Sequence, residues 1–162
     1  MLRLKGMRGF TLVELMITLA LLAIVATIAV PNFMQFIRNN QVQAKADELK
    51  SFLQYARGQA VTTRKSYEID ISSWEIKPIG GSAERSIDFS NASTVVRSNL
   101  ETGVTKLNYQ PNGSVSGPAT FTVCYNNDFS NGYLIELKRS GLIKMYMRGY
   151  KNNTDKLTNC TL

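Results

Sequence analysis

Apolar residues dominate the start of the chain in one unbroken stretch. Residues 10–30 read FTLVELMITLALLAIVATIAV and contain a single ionisable side chain, Glu14. A helix of this length spans the hydrocarbon core of a bilayer, which is about 30 Å thick. We therefore predict that residues 10–30 form a membrane-spanning helix.

Beyond Pro31 the pattern becomes amphipathic, because apolar residues recur at helical spacing with charged residues between them. We predict that the helix continues over residues 31–62, so that the first half of the whole helix meets lipid and the second half packs on a sheet. The predicted apolar face consists of Phe33, Phe36, Ile37, Ala44, Leu49, Phe52, Leu53, Ala56 and Ala60.

After residue 62 apolar and polar residues alternate with period two, which is typical of strands. Turn signals separate the alternating runs, among them Asn131-Gly132 and Ser140-Gly141. The sequence thus predicts an α+β protein, a long N-terminal helix packed on a small antiparallel β domain over residues 63–162. The predicted strands cover residues 67–71, 74–76, 87–89, 104–109, 121–125, 133–138 and 142–148.

A short basic segment precedes the apolar stretch. Residues 1–9 contain Arg3, Lys5 and Arg8 and no acid, a flank that keeps this end in the cytoplasm and places the later chain outside. A cleaved secretory signal needs a shorter apolar run that ends in small residues. A plain anchor has no use for Glu14, since a carboxylate inside a membrane costs about 2.5–3.5 kcal/mol unless it is paired.

The junction of basic segment and apolar run resembles the type IV prepilin signature, in which a basic leader ends in glycine and Glu is the fifth residue after it. The resemblance implies that prepilin peptidase cuts after Gly9 and that Phe10 is then N-methylated. It also implies that Glu14 pairs with the terminal amine of a neighbouring subunit, and that Pro31 bends the helix. Its partners would be major and minor pilin subunits and, before assembly, inner-membrane lipid; after assembly residues 10–30 would lie in the filament core.

Later segments resemble the GspH/FimT group of minor pilins. They are LQYARGQAV at residues 53–61, LNYQPNG at 107–113 and GPATFTVC at 117–124. The resemblance implies a helix packed on two small sheets, anchored in the inner membrane with its C-terminal domain in the periplasm and later displayed on a surface pilus. The implied function is assembly at or near the pilus tip; the alternatives are DNA uptake and an H-type pseudopilin of type II secretion.

Cys124 and Cys160 are the only cysteines, and both fall on the outer side of the membrane, where disulfides persist. We predict a bond between them that stabilises the fold by about 3–4 kcal/mol and holds down the polar C-terminus. The alternative is two free, buried thiols.

Positive charge concentrates near the C-terminus: residues 131–162 carry six basic and two acidic side chains within a chain of net charge +7. Lys144, Arg148 and Lys151 are candidate DNA-binding residues, since cations meet phosphates and the interleaved tyrosines stack on bases. On a strand, Lys144, Tyr146 and Arg148 would share one face. The alternative is a solvated edge strand kept charged against aggregation.

DNA-binding members of the resembled group carry a Gly-Arg-x-Arg motif in this region. The matching residues 141–144 read Gly-Leu-Ile-Lys, which keeps the glycine and one cation but loses the first arginine. Lysine is also a poorer bidentate phosphate ligand than arginine. This departure favours structural packing over DNA capture.

The composition argues against an enzyme. Histidine is absent, which excludes Ser-His-Asp and Cys-His nucleophilic catalysis and nearly every mixed zinc site. Carboxylates are scattered, and no calcium-loop pattern is present. We therefore predict no catalytic residues, no metal site and no cofactor.

Overall fold

The computed structural model describes residues 9–89, 94–100 and 104–160. The chain forms two compact units, which divide between Ile37 and Arg38. Among these residues the elements are one helix and eight strands: α1 Leu12–Thr63, β1 Tyr67–Asp70, β2 Glu75–Pro78, β3 Arg85–Ser86, β4 Thr94–Ser98, β5 Lys106–Tyr109, β6 Ala119–Tyr125, β7 Asp128–Leu137 and β8 Ile143–Met145.

The long helix begins at a capped N-terminus. The Thr11 hydroxyl accepts a hydrogen bond from the Glu14 backbone N–H at 3.2 Å, which satisfies one of the donors that a first turn leaves open. Pro31 lies inside the helix, and the Asn32 side chain donates to the Ile28 carbonyl at 2.9 Å. The predicted helix is confirmed to within two residues at each end.

The packing face of the helix lies in the second unit. Its buried residues are spaced three and four apart, as one face of a helix requires: Val42, Ala46, Leu49, Phe52, Leu53, Ala56 and Ala60. The predicted face is confirmed from Leu49 onward and wrong at Ala44, while Phe33 and Phe36 lie in the half predicted to meet lipid. Phe33 and Phe36 are each 61% exposed, and Ala44 is exposed where Val42 and Ala46 are buried.

The strands form two antiparallel sheets of four. The first has the order β3-β2-β1-β5 and the second the order β4-β6-β7-β8. Inward residues of both sheets meet the helix in one apolar core, with Tyr109, Phe52 and Phe121 among its largest members. The predicted fold class is confirmed: a long helix on two antiparallel sheets.

One strand prediction is wrong, and one strand of the structure was not predicted. Residues 87–89 are not a strand, because the partner of β2 is the preceding pair Arg85–Ser86; Ile87 and Phe89 instead pack on the core from a loop. The strand β4 was not predicted. Its two adjacent valines lie between polar residues and do not alternate, so the sequence pattern does not indicate a strand. Its hydrogen-bonded pairing with β6 defines it as one.

Asn131-Gly132 is not a turn, since both residues lie within β7. Glycine in a strand interior often marks a close approach of another group. A Cβ built on Gly132 would lie 2.7 Å from the Cys124 Sγ and 3.3 Å from a methyl group of Leu157. The local sequence is typical of a turn, but the tertiary contact requires the glycine.

Candidate functional site

The first unit presents an apolar helical surface. Large apolar side chains from Phe10 to Phe36 are mostly 55–82% exposed. By length and composition, α1 is long and apolar enough to cross a membrane. Glu14 is exposed within this surface and has no ion pair among the residues described. A helix of this kind buries its surface in lipid or against other helices.

The predicted cleavage position lies just before this helix. Gly9 and Phe10 precede α1, and nothing lies within 4 Å of a Cβ built on Gly9. Phe10 itself is 82% exposed. The roles predicted for Gly9, Phe10, Glu14 and Pro31 in processing and assembly stay predictions.

The disulfide prediction is confirmed: Cys124 on β6 is bonded to Cys160 near the C-terminus. The bond lies in a small second core with Leu134 and Leu157. The hydroxyl of Thr122, which is fully buried, donates to the Cys160 carbonyl at 2.8 Å. The alternative of two free thiols is excluded.

We call residues 146–160 the C-terminal arm. The Gly149 N–H donates to the Gly132 carbonyl at 2.8 Å, so the arm is bonded to β7. The Leu157 N–H donates in turn to the Gly149 carbonyl at 2.8 Å. Together with the disulfide, these bonds fix a polar segment that has little apolar surface of its own to bury.

Lys144 and Lys151 are engaged within the domain. The ammonium of Lys144 lies 3.2 Å from the Asn153 side-chain oxygen and 4.5 Å from the centre of the Tyr146 ring. The ammonium of Lys151 lies 3.9 Å from a carboxylate oxygen of Asp155. Both are surface contacts of small energetic weight.

Arg148 contacts the helix. One guanidinium nitrogen lies 3.2 Å from the Gln43 side-chain oxygen and 3.4 Å from the Asn39 carbonyl. Nε donates to the Tyr133 hydroxyl at 3.2 Å, and the guanidinium carbon lies 5.6 Å from the centre of the same ring. Because β8 ends at Met145, the strand-parity argument that placed Arg148 beside Lys144 is wrong.

Gly141, the glycine matched to the DNA-binding motif, has a packing role. Its φ is +78°, and a Cβ there would overlap the Gly113 carbonyl. The Arg57 side chain of α1 lies under both turns, with Nε 3.2 Å and 3.1 Å from the Cβ positions of Gly113 and Gly141. The sequence did not identify Arg57, since only the fold brings these two turns together over it.

Electrostatic effects on the sheets are local. Hydrogen bonding to the Lys106 ammonium lowers the pKa of Glu68, and Lys77 acts in the same direction. Hydrogen bonding to the Glu136 carboxylate raises the pKa of Tyr146. Among the residues that the structure describes, no three metal-ligating side chains cluster.

Comparisons with known proteins agree on one class. Residues 45–141 match the family of the type II transport protein GspH, and residues 4–30 match the prokaryotic N-terminal methylation motif. The chain is 32% identical over 129 residues to the type IV major alpha-pilin of Moraxella bovis, covering 78% of this chain and 76% of that protein. A 41-residue match, 54% identical, to the type IV major pilin protein PilA of Myxococcus xanthus spans 25% of this chain and 19% of PilA.

The fold is similar to a crystal structure of the type IV minor pilin FimU from Pseudomonas aeruginosa. The TM-score is 0.58 at 22% identity, over 77% of this chain and 98% of the FimU chain. At this identity the likeness concerns the fold, and it includes the long helix and the two sheets.

Proposed function

Because the chain belongs to the GspH family of type IV minor pilins and pseudopilins, we propose that it is a minor pilin incorporated at or near the tip of a pilus. Its work is protein–protein packing that starts or supports filament assembly. The precursor is inserted in the inner membrane, cut after Gly9 and methylated on Phe10.

The observation that carries the proposal is the exposed apolar surface of the first unit, with Glu14 set inside it. Such a surface is stable only in lipid or in a filament of similar helices. A buried carboxylate requires a cation, and the terminal amine that cleavage would leave on Phe10 supplies one. Packing of the helix thus depends on prior cleavage.

The test is complementation of a deletion strain with single variants. Gly9→Leu is expected to abolish cleavage, which intact mass spectrometry of the membrane-extracted protein detects, while Gly6→Leu in the same leader is the matched control. Glu14→Leu is expected to be processed but to leave few pili by electron microscopy, and Glu14→Asp to restore them in part. Normal cleavage of Gly9→Leu, or normal piliation with Glu14→Leu, would reject the proposal.

A second candidate function is that of a type II secretion pseudopilin, favoured by the match of residues 45–141 to the GspH family. The two functions use the same helix chemistry and differ in the machine that takes up the subunit. Deletion of the gene separates them. Loss of surface pili with normal secretion supports the pilus function, whereas retention of secreted enzymes in the periplasm with normal pili supports secretion.

A further inference from the structure

A cleft of about 520 Å³ opens in the second unit, where strands of both sheets end. Leu100 follows β4, Val104 precedes β5, and Pro118 precedes β6. With Leu107 of β5 they give the cleft four apolar lining residues. Residues 101–103, which connect Leu100 to Val104, lie outside the described part of the chain.

Among the described residues that line the cleft, the charged ones are two cations, Lys106 and Arg139. Lys106 is engaged, since its ammonium lies 2.9 Å from a carboxylate oxygen of Glu68. Arg139 is exposed and has no carboxylate within 4.0 Å among residues 9–89, 94–100 and 104–160. The described lining therefore combines apolar side chains with the polar side chains of Asn99 and Ser116 and with one arginine available for an anion.

This combination favours one class of ligand. Single-stranded nucleic acid binds through bases stacked on aromatic rings, and none of the lining residues that the structure describes is aromatic. An acidic peptide segment fits better, because a carboxylate pairs with a guanidinium in bidentate geometry while aliphatic neighbours cover apolar surface. The volume matches a few side chains of such a segment.

We propose that this cleft receives an acidic, partly apolar segment of a neighbouring pilin subunit, with Arg139 paired to its carboxylate. The proposal rests on the function proposed above and names a second assembly contact, on the globular unit instead of the helix. Arg139 lies outside the set of C-terminal cations predicted from the sequence, which were chosen for their spacing with tyrosines.

The experiment is site-specific photo-crosslinking of the full chain in cells that assemble the filament. Val104, which is 41% exposed and lines the cleft, is replaced by p-benzoylphenylalanine. Ile79, 60% exposed on the β2–β3 turn, is the matched position away from the cleft. We expect a cross-link at Val104 that mass spectrometry assigns to an acidic segment of another pilin subunit, and none to the same segment at Ile79.

The arginine is tested in the same assay. Arg139→Gln is expected to lower the cross-linked fraction at least fivefold, while Lys138→Gln, an exposed cation next to it, leaves the fraction unchanged. An equal fall in the cross-linked fraction in both variants would show that only the net charge of the protein matters, and would reject the proposal. Cross-links that survive Arg139→Gln at the same level would also reject it.

Piliation of the same strains keeps the two proposals separable. If pili still require the protein but Val104 yields no cross-link to a subunit, the cleft proposal fails and the minor-pilin proposal stands. If pili form normally without the gene, the minor-pilin proposal fails, whatever the cross-linking result.

Binding of the probe acetyl-Leu-Glu-Leu-Glu-amide to purified full-length protein in detergent is a further test. Its affinity should fall at least fivefold with Arg139→Gln, or when glutamine replaces the glutamates of the probe.

Discussion

Gly132 lies where two parts of the chain cross. A methyl group there would approach the Cys124 Sγ to 2.7 Å and the Val123 carbonyl to 3.2 Å. Such overlaps force backbone shifts in a packed region. The requirement for glycine comes from sterics alone, because φ at this residue is not positive.

We predict that Gly132→Ala lowers the free energy of unfolding by about 1–3 kcal/mol. The matched control is Gly58→Ala in α1, where nothing lies within 4 Å of the Cβ position. That change should instead stabilise the protein by about 0.5–1 kcal/mol, since alanine has the higher helix propensity. Urea titrations of both variants measure the difference, and equal effects would contradict the steric argument.

Arg148 joins the C-terminal arm to α1 and β7. Its guanidinium bonds to Gln43, the Asn39 carbonyl and the Tyr133 hydroxyl, and it is only partly exposed. Lys144, by contrast, makes one polar contact at the surface. Arg148 should therefore contribute more to the stability of the fold than Lys144, although the sequence predicts both as candidate phosphate ligands.

Arg148→Ala should lower the free energy of unfolding by about 1–2 kcal/mol. This is the low end of the range for hydrogen bonds to a charged group, because the side chain is partly exposed to solvent. Lys144→Ala should change stability by no more than about 0.5 kcal/mol. Thermal unfolding of both variants tests this, and Arg148→Lys should recover only part of the loss. Identical melting temperatures for Arg148→Ala and Lys144→Ala would contradict the bridging role.

At the scale of elements, Glu68 connects three strands of the first sheet. From β1 its carboxylate lies 2.9 Å from Lys106 on β5 and 3.4 Å from Lys77 on β2, and it is 17% exposed. Hydrogen bonding to Lys106 lowers its pKa below the ordinary value of 4.5. The folded state therefore releases this proton more readily than the unfolded state does.

The pH dependence follows from that difference. Glu68 contributes stability above the unfolded pKa of 4.5, and the contribution disappears as pH falls through the lower folded value. Glu68→Gln should therefore flatten the fall in unfolding free energy below pH 4.5 and lower stability at pH 7. Glu48→Gln is the control, since Glu48 also forms an ion pair but is 40% exposed, and exposed ion pairs contribute little to stability.

The same scale shows why some elements could be predicted and others could not. The helix has a long periodic signal, and β1, β5 and β6 alternate clearly, so their existence follows from the sequence. β4 and β3 are short, and pairing with a neighbour defines them. β7 continues for ten residues through an apparent turn signal. The glycine of that signal, Gly132, is required by its close contact with Cys124 and Leu157 and not by a turn.

At the scale of the molecule, the two units differ in what covers their apolar residues. The unit from Arg38 onward has its own core of helix and sheets. The unit up to Ile37 has no buried residue among those described. Stability of the globular unit should therefore not depend on the first one.

We predict that a fragment of residues 38–162 folds alone with the urea midpoint of the full chain. Trp74, the single tryptophan, reports on it, because its ring lies 4.6 Å from Phe89 and 6.4 Å from Phe52 within the core. A midpoint lowered by more than about 1 M, or a spectrum of exposed tryptophan without urea, would contradict the division.

Function could be predicted where the residues responsible for it are close together in the sequence. The leader, the Gly9–Phe10 junction and Glu14 are contiguous, so the pilin class could be inferred from them. The disulfide could be inferred because Cys124 and Cys160 have no competitors. The cleft at Arg139 and the contacts of Arg148 depend on distant segments that meet only in the fold.

The crossing at Gly132 also has an evolutionary consequence. Because Gly132 leaves room for the sulfur of Cys124, we expect selection to retain the glycine and the two cysteines together. A homologue that lost the bridge would be released from the steric restriction and could acquire a side chain at the position equivalent to 132. Covariation of that glycine with both cysteines among distant members of the family would be the historical trace of this single close contact.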